Sequence, residues 1–263
     1  MMIDRIIRAA LPSAAGRRVQ DVRLGLGLCG VMLDDGSCGV SFVFRSEITT
    51  PHCAVVDDQG ALAGREVTEV IPWAADYRNL ARASIGVAVL NALSQKSLPS
   101  GAAEGDALDW LEISPDDVVG MIGYFKPLVE PVRQKAKALM IFERRPSDDD
   151  PDIYPDWAER ALLPQCSVVI ISGTTIINKT VDQILEWSTG AREIALVGPS
   201  VPFYPEAYRD SGITLLGASQ VGPGSERVIL DLIGQGGGGL SLFGHLRKVT
   251  VRLPRCFQGT QGR

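Results

Sequence analysis

Apolar residues fall into long runs in the second half of the chain and into shorter, more mixed patterns in the first. Five runs stand out: "DVVGMIGYF", "LMIFER", "SVVIISG", "EIALVGPS" and "ITLLGASQV". Continuous apolar runs, rather than strict alternation, predict strands buried on both faces. Helical patterns lie between them, in "VEPVRQKAKA", "AERALLPQ", "TVDQILEWSTG" and "SERVILDLIGQ". Repeated strand–helix units predict a parallel sheet with right-handed crossovers and helices on its faces. "KVTVRLP" reads as a closing strand, and acidic, Pro-rich "RPSDDDPDIYPDW" as a connection.

The first half predicts an α+β arrangement. A helix near Asp4–Ala15 precedes "VQDVRLGLGLCGVMLDDGSCGVSFVF", where two apolar runs flank Asp34-Asp35-Gly36. That is a hairpin signal, because the turn needs positive φ. "AGREVTEVI" adds a short segment. In "YRNLARASIGVAVLNALSQ", Leu80, Ile85, Val89, Leu90 and Leu93 share one face at helical spacing. Gly86 inside that helix costs stability against Ala, so close packing on a neighbour is expected. Between Ser97 and Asp117 the chain turns to Ser, Pro, Gly and acids, and the domain boundary is placed there. The expectation is an α/β protein. A smaller α+β domain spans 1–105, a doubly wound, mostly parallel α/β domain spans 106–254, and a loose polar tail spans 255–263.

Composition narrows the function. The 263 residues are 45% hydrophobic and 22% charged, enough to bury a core without disulfides. A formal net charge of -5 argues against broad nucleic-acid binding, which needs a basic face. No apolar run has the length of a membrane span, and the N-terminus lacks a signal-peptide apolar stretch, so a cytoplasmic protein is expected. The five cysteines Cys29, Cys38, Cys53, Cys166 and Cys256 show no C-x-x-C spacing. Reduced, mostly buried thiols are expected rather than disulfides or a structural zinc. His52 and Cys53 would hold one metal only at a bend, since neighbours in a strand point to opposite faces. Asp148, Asp149, Asp150 and Asp152 form either a solvated loop or a hard-cation site.

In open doubly wound sheets, ligands bind beyond the carboxyl ends of the strands. That rule selects Gly123-Tyr124-Phe125, Glu143, Gly173-Thr174-Thr175 with Asn178, and Gly198-Pro199-Ser200. Glycines allow close backbone approach, a following helix N-terminus favours an anion, and the hydroxyls add hydrogen bonds. Glu143 lies about twenty residues beyond Gly123, the offset at which an acid meets a ribose hydroxyl. Each corner also has a purely structural explanation, as an N-cap or a turn. Neither G-x-G-x-x-G nor G-x-x-x-x-G-K-[ST] occurs, and Gly236–Gly239 reads as a loop. No nucleophile or general base stands out.

The segments "DVVGMIGYF", "LMIFERRP", "LLPQCSVVIISGTTIINKT" and "LVGPSVPFYPEAYRDSGITLLGASQV" resemble the putative heavy-metal-chelation family, and "ARASIGVAVLNAL" resembles the helix of its leading domain. The resemblance implies an enolase-N-terminal-like domain followed by a Rossmann-like domain, with a ligand cleft between them. It places Tyr124, Glu143, Gly173, Thr174, Asn178, Gly198, Pro199 and Ser200 on the family motifs. It adds Arg82 and Asn91 as candidates from the leading domain, Arg82 as a partner for an anion. The implied role is in metal chelation or chelator and cofactor metabolism, with a metal ion or metal chelate as bound group. The expected partner is a small polar or anionic molecule, with a homo-oligomer left open. Two alternatives stand beside it: a nucleotide- or S-adenosylmethionine-dependent enzyme on the same strand ends, and a non-catalytic metal or metal-chelate binder.

Overall fold

The structure is a computed structural model that describes residues 1–48, 54–56, 60–96, 101–146 and 150–254. His52, Cys53, Asp148, Asp149, Cys256 and the tail at 255–263 lie outside the described residues. In chain order the elements are α1 (Met2–Ala14), β1 (Val19–Leu24), β2 (Leu28–Leu33), β3 (Cys38–Phe42), α2 (Val67–Val70), α3 (Leu80–Leu93), β4 (Ala103–Glu104), β5 (Val118–Ile122), α4 (Lys126–Lys135), β6 (Ala138–Glu143), β7 (Ile153–Pro155), α5 (Glu159–Leu162), β8 (Val168–Ser172), α6 (Thr174–Ile177), α7 (Val181–Trp187), β9 (Glu193–Gly198), β10 (Leu215–Val221), α8 (Glu226–Gly234) and β11 (Leu246–Arg252).

β1, β2 and β3 form an antiparallel sheet. The expected hairpin joins β2 to β3, and Gly36 at its turn has φ of 84°, a conformation a side chain disfavours. Both faces of this small sheet are covered. Cys29, Val31 and Leu33 pack with α1 and α3, while Leu28, Cys38 and Val40 pack with Ile229, Leu230 and Ile233 of α8. Gly30 admits α8, since an added Cβ would lie 2.8 Å from Leu230 Cδ2.

Helix α3 is buried on all sides from Ala83 to Leu93, not on the single face its spacing predicts. Its glycine and its neighbours' glycines explain how. A Cβ on Gly86 would lie 2.1 Å from Ala74 N, and one on Gly39 of β3 would lie 2.2 Å from Ala88 O and Ala92 N. Backbone therefore meets backbone on both flanks. The helix begins at Asn79, whose Oδ1 accepts from the amides of Ala81 at 2.9 Å and Arg82 at 3.0 Å, a capping interaction.

The large sheet runs β4-β11-β10-β9-β8-β5-β6-β7. From β10 to β7 its strands are parallel, and β11 is antiparallel to β10. The chain proceeds β5, β6, β7 in one direction and β8, β9, β10 in the other. This is the doubly wound order, with its reversal between β5 and β8. Val119, Met121, Val168 and Ile170 face the layer of α4, whereas Ile122, Val169, Ile171 and Leu196 join the core shared with α1, α3 and α7. Burial on both faces explains the continuous apolar runs. The acidic, Pro-rich connection differs from its expected form: it contains edge strand β7, paired with β6 through Ile141–Ile153 and Phe142–Tyr154.

Candidate functional site

The strand reversal lies between β5 and β8, and the ligand rule points to their carboxyl ends. Gly123, which follows β5, has φ of 93°. An added Cβ there would lie 3.2 Å from Ser172 Cβ, so the glycine lets the two strand ends approach. The Tyr124 amide then donates to Glu143 Oε1 at 2.5 Å. The amides of Lys126 and Leu128 donate to Tyr124 O and Phe125 O, and Pro127 has no N–H to offer. The turn into α4 thus directs its donors inward, and Glu143 meets a backbone amide where a dinucleotide-type site would place a hydroxyl.

The corner after β8 is also internally satisfied. Thr174 Oγ1 donates to Ser172 Oγ at 2.9 Å, and Thr175 Oγ1 to Ser172 O at 2.7 Å. The helix that follows Gly173 is the single turn α6, not the start of a long helix. A Cβ on Gly173 would lie 2.7 Å from Val201 Cγ2 and 2.9 Å from Ser200 C, so this glycine admits the β9 loop rather than a ligand. Asn178 Oδ1 accepts from Thr180 N at 3.1 Å and Thr180 Oγ1 at 2.8 Å, closing the turn into α7.

After β9, Gly198 has φ of 119° and Ser200 is buried. Asn91 Nδ2 donates to Val40 O at 2.6 Å and Pro199 O at 2.9 Å. Pro199, Ser200 and Asn91 therefore fasten α3 and β3 to the large sheet. Arg82 stacks over the Trp73 ring, 4.3 Å from its centroid, and lies 3.6 Å from Asp76 Oδ2. The Asp76 carboxylate neighbours it at ion-pair distance, while its buried Nε has no hydrogen-bond partner among the described residues.

A cavity of about 350 Å³ lies between the small-sheet and large-sheet parts, lined by Glu47, Tyr77, Arg78, Asn79, Arg144 and Asn178, with Ile48 and Leu80. Among the predicted residues, Asn178 lines it directly. Glu143 immediately precedes Arg144, and Asp76 connects Arg82 to the cavity wall by accepting from the Arg78 and Asn79 amides at 2.7 and 2.9 Å. The structure brings these together with residues that the sequence did not single out. Arg144 forms an ion pair with Glu47 across the cavity, approaches Asp156 Oδ2 at 3.6 Å and lies 5.4 Å from the Phe44 ring centroid. The strand-end rule pointed one residue short of it.

Two titrating groups flank the cavity lining. Burial, then the nearby Asp156 charge, pushes Glu159 up to about 7, with Arg144 opposing. Burial pushes Lys179 down to about 8 against the opposing pull of Asp76. Lys179 Nζ donates to Asp76 O at 2.5 Å, and its φ of 66° is unusual for a lysine.

The donor set of the described residues does not suit a naked metal ion. Among the described residues, no three His, Cys, Asp or Glu side chains are grouped to hold one. Cys29, Cys38 and Cys166 are free and buried. Burial raises all three thiols, Cys38 to about 12 and Cys166 to about 11, whereas a soft metal needs thiolate. Asp150 and Asp152 are taken by Arg133, at 3.0 and 2.8 Å. Among the described residues, no helix is long and apolar enough to cross a membrane.

Comparison with known proteins gives a consistent result. Residues 106–252 match one family model described as putative heavy-metal chelation, and residues 7–94 match a second with the same description. An uncharacterized protein of Methanocaldococcus jannaschii is 33% identical over 150 residues, which are 56% of this chain and 58% of that relative. The match thus spans just over half of that protein's length. Two crystal structures of proteins of unknown function share the fold. One, from Pyrococcus horikoshii, has a TM-score of 0.81 at 24% identity, covering 96% of this chain and 100% of the other. The second, from Desulfitobacterium hafniense, has a TM-score of 0.78 at 22% identity, covering 95% and 98%.

Proposed function

Because the chain belongs to the putative heavy-metal-chelation family, we propose that it binds a small polar ligand, an organic chelator or a metal chelate, in the cavity between its two domains. The domains are taken as divided near residue 105. The observation that carries this reading is the cavity of about 350 Å³, whose polar lining comes from both parts of the chain. A volume of that order suits a small molecule. A chelate is preferred to a bare ion because the described thiols are buried and protonated.

Thermal melting tests this. The full chain is melted with divalent metals alone, with citrate, with metal–citrate complexes, with ATP and with S-adenosylmethionine. A ligand that binds the native state raises the melting temperature. The expected result is a rise with citrate or its metal complexes that disappears in Ile48→Trp, which fills the cavity. A rise with metal alone that survives Ile48→Trp would sink the proposal. The nucleotide or S-adenosylmethionine alternative draws on Glu143 beside the strand reversal; it requires a rise with either compound that is lost in Glu143→Ala.

A further inference from the structure

We propose that the cavity ligand carries an oxyanion, a carboxylate or a phosphate, and that Glu47 is a resident carboxylate which this group displaces from Arg144. The inference rests on the cavity reading above and adds the chemical class of the ligand.

Among the described side chains of the lining, the unspent hydrogen-bonding capacity is mostly donor, with Glu47 Oε1 the exception. The Arg78 side chain makes no hydrogen bond or ion pair among the described residues. Arg144 commits Nη1 to Glu47. Its Nε stands 3.6 Å from Asp156, beyond hydrogen-bond reach. Nη2 donates to nothing among the described residues. Asn178 spends its carbonyl oxygen on Thr180, and its Nδ2 donates to nothing among the described residues. Asn79 has one Nδ2 hydrogen left, since Oδ1 holds the α3 amides and Nδ2 donates once, to Val55 O at 2.9 Å. The carboxylate in the lining, Glu47, engages Arg144 through Oε2 alone.

Two guanidinium groups and an amide therefore converge on one cavity. The lining itself sets two guanidiniums against one carboxylate, with Asp76 and Asp156 behind them. A group with several acceptor oxygens would satisfy the donors, and arginine forks match carboxylates and phosphates bidentately. Glu47 shows that Arg144 accepts such a group, because it is one. The pair joins the segment after β3 to the segment after β6, with side-chain exposures of 27% and 38%. It is wet enough to exchange and enclosed enough to compete. While Glu47 holds Arg144, ligand affinity is reduced by the fraction of molecules in which Arg144 is free.

Calorimetric titration of the full chain with citrate and, separately, inorganic phosphate tests this. Glu47→Gln is expected to tighten binding of at least one anion about tenfold, as release of a mostly occupied competitor requires. Arg144→Met and Arg78→Met are expected to weaken it by a similar factor, and added sodium chloride to weaken it in the wild type. The arm that responds assigns carboxylate or phosphate. If Glu47→Gln fails to fold, Glu47→Asp should tighten binding to a smaller degree, and the salt dependence of the wild type stands as an independent reading. Unchanged or weaker binding in the folded Glu47 variant, or full affinity in Arg144→Met, overturns the proposal. So does absence of binding by both anions. If adenosine, a neutral probe, binds in a manner lost on Ile48→Trp while neither anion does, the cavity reading survives and this inference fails. If no probe responds to Ile48→Trp, both fail.

Discussion

Ser200 Oγ accepts a hydrogen bond from the Phe42 amide at 2.8 Å, tying the corner after β9 to the last residue of β3. The serine is 1% exposed, so its hydroxyl is spent within the protein. Ser200→Ala would strand a Phe42 amide near the junction of the two parts. The expected cost is about 1–3 kcal/mol, that of an unsatisfied donor, read as a lower midpoint in urea unfolding. Affinity for a cavity ligand should stay unchanged in the folded variant. A loss of affinity without a loss of stability would return Ser200 to the binding site.

Gly39→Ala should destabilise more. Its Cβ would strike the α3 backbone at Ala88 O and Ala92 N, and backbone cannot step aside as a side-chain tip can. Overpacking of this kind costs about 1–3 kcal/mol or more, seen as a fall in melting temperature. Gly16→Ala is a useful contrast, because nothing lies within 4 Å of its added Cβ. Its penalty comes from its φ of 72° alone.

Glu159 predicts a pH dependence of stability. Its carboxyl titrates near 7 in the folded chain and near 4.3 unfolded. Between those values the folded state binds more protons than the unfolded state, so stability falls as pH rises. Below the window the group exerts no penalty; above it the penalty is complete. Denaturant titrations of wild type and Glu159→Gln from pH 4 to 8 should diverge, with the variant holding its stability toward pH 8. Parallel curves would show that Glu159 does not titrate in this range.

The thiols give a fourth measurable outcome. Cys29, Cys38 and Cys166 are buried, and burial raises their titration, so little reactive thiolate forms at pH 8. Iodoacetamide should leave these three unmodified in the native protein and modify all three in denaturant, as peptide mass spectrometry would resolve. Native modification of Cys38 would reopen direct soft-metal binding.

Asp117 anchors another interaction that can be measured. Hydrogen bonding to Arg192, at 2.5 Å, holds its carboxyl well below the usual range, helped by the Ser114 amide and the Ser167 hydroxyl. Because the folded value is depressed, its stabilisation is present above about pH 4 and is lost as acid protonates it. Asp117→Asn should cost about 2–3 kcal/mol at pH 7, the scale of a charge-assisted hydrogen bond. The difference from wild type should shrink at low pH.

Strand-forming runs were legible because burial on both faces leaves a continuous apolar signature: β5, β8, β9 and β10 lie within runs visible in the sequence, and β6 and β11 overlap theirs. The hairpin at Gly36 and the close approach at Gly86 were legible too, since each depends on local backbone geometry. β7 was not, because an edge strand of three residues amid acids and prolines needs only one apolar face and a partner in β6. The strand-end rule located the strand ends at the reversal but not the uses of their residues. Thr174, Thr175, Ser200 and Asn91 are residues of hydrogen-bonding type, and only the tertiary structure decided that the hydroxyls and the Asn91 Nδ2 bond neighbouring protein atoms, while the buried Asn91 Oδ1 has no partner among the described residues. Arg144, Arg78 and Glu47 are far apart in the chain, and no spacing announces them. The sequence by itself determined most strands of the large sheet, the β2–β3 hairpin and the α/β class, because periodicity and turn chemistry act over a few residues. Which side chains share the cavity was decided by packing α3 and the small sheet against the large one, a contact between distant segments that no local pattern encodes.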